Sequence, residues 1–133
     1  MKTRQVDRSI AGFYLKKAEE CRNSMNRAFE SREWNACVIN AIHAAISSAD
    51  AFCVARLGMR SAGERHEDAL VLFQGIAPEN EDLKRNVRHL SELLNIKTDA
   101  EYGERLFYEK DATAAIKHAE RLFDFVKGEI QKI

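Results

Sequence analysis

Residues 34–66 read WNACVINAIHAAISSADAFCVARLGMRSAGERH. Trp34, Val38, Ile42, Ala45, Ala49 and Phe52 fall on one side of a helix drawn through this run, with Ile39, Ile46, Cys53 and Leu57 beside them. At roughly 100° per residue these positions cover most of the circumference, and a helix that is apolar nearly all round is a buried one. The spacing therefore predicts a long central helix over Glu33 to Met59. Ser61 to Arg65 then form a short connector, in which Gly63 is free to take the positive φ that such turns need, and His66 opens the next helix.

Working outward, Tyr14, Ala18, Cys21, Met25 and Ala28 recur at helical spacing and predict a first helix over Asp7 to Ser31, capped by Asp7 or Ser9. Only a tight turn separates it from the central helix, so the two are expected to form an antiparallel hairpin. A shorter helix over His66 to Ile76 stops before Ala77-Pro78, because proline is tolerated at a helix start and not inside one. A fourth helix carries Leu83, Val87, Leu90 and Leu94 inward and ends near Ile96. The polar, aromatic-spiced segment Lys97 to Lys110, KTDAEYGERLFYEK, reads as a loop of functional length. Asp111 is the expected cap of a last helix whose face runs from Ala112 through Phe123 to Ile130. The prediction is an all-α, single-domain up-and-down bundle of five helices, four long and one short, spanning residues 1–133. No stretch alternates as a strand does.

Composition agrees. The chain has 133 residues, enough for one core, and its single proline and six glycines suit a helical protein. Its 21 basic and 21 acidic side chains cancel, which removes a whole-molecule field for non-specific binding to nucleic acid or membrane. Cys21, Cys37 and Cys53 lie in apolar helical patterns with no Cys-x-x-Cys pair, as expected of reduced core thiols. Neither a signal peptide nor a membrane span is indicated, so a cytoplasmic location is expected. A repeat array of two-helix units is excluded by the length of the central helix.

Several polar constellations stand out. Asn40, His43, Ser47 and Asp50 fall within about 80° on the central helix, which makes them a solvated edge, a hydrogen-bond ladder inside the bundle, or the wall of a ligand site or of a symmetric dimer interface. Arg60 and His66 flank the connector. There a guanidinium that suits phosphate and an imidazole that moves protons near neutral pH can meet at one pole of the bundle. Arg85 and His89 sit four apart on the fourth helix and form a second Arg-His pair on one face. Each pair is also what a helix end, a helix start or a solvated face would carry. No Glu-x-x-His pair, zinc pattern or nucleotide-loop fingerprint occurs, so no metal or cofactor is expected.

The stretch from Tyr14 to Gly58, followed by RHEDALVLF (65–73), IKTDAEYG (96–103) and AIKHAERLFDFV (115–126), resembles the small helical HEPN domains. The resemblance implies a helical bundle, commonly dimeric, of a kind that includes ribonuclease toxins and nucleotide-binding modules paired with a nucleotidyltransferase-type protein. Catalytic members carry an Arg and, a few residues on, a His. Arg60-Ser61 to His66 has that spacing but precedes the usual place in the domain. Arg85-Asn86 to His89 is better placed but one residue short. Lys97 stands where related non-catalytic members often have Arg, and Glu101-Tyr102 where they have Asp-Tyr. The expectation is a non-catalytic homodimeric module that binds nucleotide, RNA or a protein partner through Arg60, His66, Lys97 and Tyr102, as part of a toxin–antitoxin or defence system. The alternatives are a metal-independent ribonuclease toxin, with His66 or His89 moving protons and Arg60 or Arg85 stabilising the transition state, and a helical scaffold that docks a partner helix.

Overall fold

The computed structural model describes residues 1–133. In chain order it runs β1 (Thr3–Gln5), a single 3-10 turn, α1 (Ala11–Glu30), α2 (Trp34–Leu57), β2 (Met59–Ser61), α3 (His66–Gln74), α4 (Glu81–Asn95), α5 (Lys97–Tyr102) and α6 (Glu109–Gln131). The architecture is all-α, with five helices of nine residues or more and one short helix. α2 is the axis: Val38, Ile42, Ala45, Phe52 and Val54 are buried among α1, α4 and α6. It is long and apolar enough to cross a membrane by length and composition, yet 67% of its most apolar window is buried in the bundle. Alanines at positions 41, 44, 45, 49 and 51, all buried, let the neighbouring helices approach closely.

The α1–α2 hairpin forms as predicted. Arg32 turns the chain with φ 59°, and the edge of Phe29 packs on Trp34 at a ring separation of 5.2 Å. The 3-10 turn Arg8–Ile10 leads into α1, and it is Asp7 that caps, accepting from the Ser9 N–H at 2.9 Å. At the far end Phe52 touches Phe73 of α3 and Phe125 of α6 edge-on, at 6.1 and 5.8 Å. These contacts tie the C-terminal end of α2 to both neighbours.

Four local expectations are corrected. A two-stranded ribbon exists: β1 pairs antiparallel with β2, Arg4 opposite Arg60. Neither strand carries an alternating apolar pattern, because the side chains of β1 are exposed and those of β2 only partly buried. The central helix therefore stops at Leu57, and the glycine at positive φ is Gly58, at 67°, whereas Gly63 keeps an ordinary backbone. The segment expected as loop begins with α5, held by a 2.9 Å bond from the Ala100 N–H to the Ile96 carbonyl. Its end is tight: a Cβ on Gly103 would lie 2.9 Å from the Asp99 backbone. Finally, Asp111 caps α6 from inside the first turn, its Oδ2 accepting the Tyr108 N–H at 2.9 Å.

Candidate functional site

A cavity of about 580 Å³ opens where α2, β2, the connector, α3 and α5 meet. Arg60, His66, Lys97 and Tyr102 all line it. Each reaches it for a local reason. Gly58 ends α2 in the left-handed conformation, and the Val6 N–H bonds its carbonyl at 3.0 Å, so the chain turns into β2 and carries Arg60 along the cavity wall. α3 starts at His66 with no side chain capping its first turn, which leaves backbone N–H groups at that rim. α5 supplies Lys97 from its first turn and Tyr102, 81% exposed, from its last.

The interior is polar and incompletely satisfied. Arg60 donates from Nη1 to the Ser61 carbonyl at 3.1 Å, while its Nε and the Ser61 hydroxyl are buried with no partner. Asp50 faces the same space from α2. Burial pushes its carboxyl up to about 6, against the pull of the Arg60 charge. Ile46, Ala69 and Leu94 form apolar walls and continue, past Asp50 and Ser61, into a small recess that Cys53 helps to close. Burial raises the Cys53 thiol to about 12 and that of Cys37 to about 11. Neither is a thiolate at neutral pH.

The stripe on α2 is divided rather than left as one open face. Asn40 turns back on its own helix, donating to the Ala36 carbonyl at 2.9 Å. Half-exposed His43 lies 2.8 Å from Glu101 of α5, whose other oxygen is 3.4 Å from Lys97. Ser47 is half-buried and Asp50 turns into the cavity. α5 therefore lies against part of the stripe.

Arg85 and His89 do not form a shared site. Arg85 pairs with Asp82 one turn back on the exposed side of α4. His89 turns instead to His118 of α6, with the two Nδ1 atoms 2.9 Å apart. Burial and the cations Lys117 and Arg121 hold both imidazoles below the usual histidine range; His118 adds to this at His89, and Glu92 opposes it at His118. No cluster of three His, Cys, Asp or Glu side chains gathers anywhere as a metal cage. Sequence reasoning missed His118, which lies 29 positions from its partner and has no local signature. It also missed Ser61 as a cavity residue. The one signal for the cavity's interior was an aspartate in the middle of an apolar helix.

The family model of the HEPN domain matches residues 11–129. No curated protein matches the chain.

Proposed function

The chain belongs to the HEPN domain family, and on that premise we propose that it is a non-catalytic helical module that binds a nucleotide in the cavity between α2, β2, α3 and α5. The observation that carries this reading is the convergence of Arg60, His66, Lys97 and Tyr102, drawn from three separate segments, on one cavity of about 580 Å³. That volume is typical of small-ligand sites. The chemistry is suited to a phosphorylated ligand: Lys97 offers a point charge, the open start of α3 offers backbone N–H groups, and Arg60 offers a guanidinium with unused donors. The exposed Tyr102 ring stands at the mouth, where it can cover a sugar. Isothermal titration with AMP, GMP and pyrophosphate tests the reading. Arg60→Ala and Lys97→Ala are each expected to weaken binding about tenfold, the loss of one charge-assisted hydrogen bond. Absence of binding by all three compounds would sink it.

Family membership supports the rest of the reading: a homodimer, paired with a nucleotidyltransferase-type protein in a toxin–antitoxin or defence system, in the cytoplasm. Light scattering on the purified chain should give twice the 15.2 kDa of one copy.

A second reading, a metal-independent ribonuclease, is favoured by one fact: Arg60 and His66 share the cavity. His66 would move the proton of the 2′-hydroxyl and Arg60 would steady the charge that develops on phosphorus. Expression of the wild-type chain beside His66→Ala and His89→Ala separates the two readings. Growth arrest with RNA cleavage, lost in His66→Ala alone, would establish the nuclease.

A further inference from the structure

Asp50 is an odd residue to find where it is. It comes from the most apolar helix of the molecule and stands at the throat between the cavity and the inner recess, flanked by Ile46, Ala69 and Leu94. It makes no ion pair within 4.0 Å, although its neighbour Arg60 is close enough for the charge to be felt. Beside it, the Arg60 Nε–H and the Ser61 hydroxyl are buried and unpaired. The throat thus holds an acceptor-only group beside the Arg60 guanidinium, between apolar side chains. Buried groups of this kind are satisfied in most proteins, and here the acceptor and the cation face one cavity whose lining a complementary polar ligand would suit.

We propose that the throat of the cavity receives a guanine base and that Asp50 is the residue that selects it. The inference rests on the nucleotide-binding reading and specifies the base. An ionised carboxylate accepts hydrogen bonds and donates none. Guanine is the base whose Watson–Crick edge places two adjacent donors, N1–H and the N2 amine, beside an acceptor, O6. Asp50 accepts from the two donors, and the Arg60 guanidinium, which lines the same cavity, donates to O6. Adenine would set its N1 lone pair against the carboxylate, and uracil and cytosine would each set a carbonyl there. Such mismatches leave buried polar groups unpaired and are discriminated strongly. With the base between Ile46 and Leu94, the phosphate lies toward the mouth, where His66 and Lys97 are.

Titration of GMP, AMP, IMP and pyrophosphate at pH 8 tests this on the wild-type chain, on Asp50→Asn and on Lys97→Ala. GMP is expected to bind at least tenfold tighter than AMP. It should also beat IMP, which lacks the N2 amine, by about tenfold. The IMP comparison needs no variant and so does not depend on one folding. Asp50→Asn should weaken GMP about tenfold and should not weaken pyrophosphate. Equal binding of GMP and AMP, with both weakened by Lys97→Ala, would overturn the guanine assignment and leave the nucleotide reading standing. An unchanged GMP-to-AMP ratio in a folded Asp50→Asn would overturn the role of Asp50. Failure of GMP, AMP, IMP and pyrophosphate alike would overturn both.

Discussion

Asp50 imposes a cost on the fold that can be measured apart from any ligand. Its carboxyl titrates near 6 in the folded chain against 3.8 for an unhindered aspartate, so the folded state holds the proton more tightly than the unfolded one. Stability therefore declines as pH rises from about 4 to about 6 and stays reduced above that, by up to ~3 kcal/mol. Asp50→Asn removes the charge and keeps the shape. It is expected to raise the melting temperature at pH 8 and to make little difference at pH 4, and a lower melting temperature at pH 8 would contradict the assigned burial. A site residue that weakens the fold it sits in is the usual signature of a group kept for binding. Gly58 is the opposite kind of residue. At φ 67°, with Arg8 and the Val6 carbonyl within 3.7 Å of where a Cβ would stand, it is tied to its role by backbone geometry. Gly58→Ala should cost roughly 1–2 kcal/mol in urea denaturation.

Helices were legible in proportion to how much they bury. α2 and α6 announce themselves by apolar spacing. α5 does not, because six residues hold too few turns to show a period and none of them is fully buried. Its stability comes from a contact made elsewhere in the chain, Glu101 against His43 of α2. β1 and β2 were invisible for the same reason, since the ribbon is made by backbone pairing of segments more than fifty positions apart. The seam between α4 and α6 carries the other long-range surprise, the His89–His118 pair. Both imidazoles are held below the unfolded value of 6.5, so the folded state takes up protons less readily than the unfolded one. The stability linked to the pair is complete above about pH 6.5 and is lost as pH falls through the folded values. His118→Gln is therefore expected to flatten the fall in melting temperature between pH 7 and pH 5, and an unaltered slope would show that the pair does not titrate as described.

At the scale of the whole molecule, the cavity residues were legible one by one while their assembly was not. Arg60 and His66 could be placed at one pole from the connector alone. Lys97 and Tyr102 entered through the resemblance to HEPN domains, and Asp50 was read as part of a stripe that could face solvent, the bundle, a ligand or a partner, because a helical wheel has no knowledge of which neighbour lies opposite. What joins them is the meeting of α2, β2, α3 and α5, four elements that contribute little to one another's burial compared with the α1–α2 and α2–α6 contacts. A ligand seated there links weakly connected parts, and mass action makes that linkage visible as global stability. At a ligand concentration of about 100 Kd the gain is roughly 2.7 kcal/mol, which for a chain of this length corresponds to a rise in melting temperature on the order of 10 °C. Lys97 separates ligand coupling from intrinsic stability. Its only ion pair is the partly buried contact with Glu101 at 3.4 Å, a carboxylate that keeps His43 as a partner when Lys97 is removed, so the pair is worth about 1 kcal/mol. Lys97→Ala should therefore melt within a few degrees of the wild type when free, and at the same nucleotide concentration should show a much smaller rise. A full wild-type rise in Lys97→Ala would mean that the nucleotide stabilises the fold from somewhere other than this cavity.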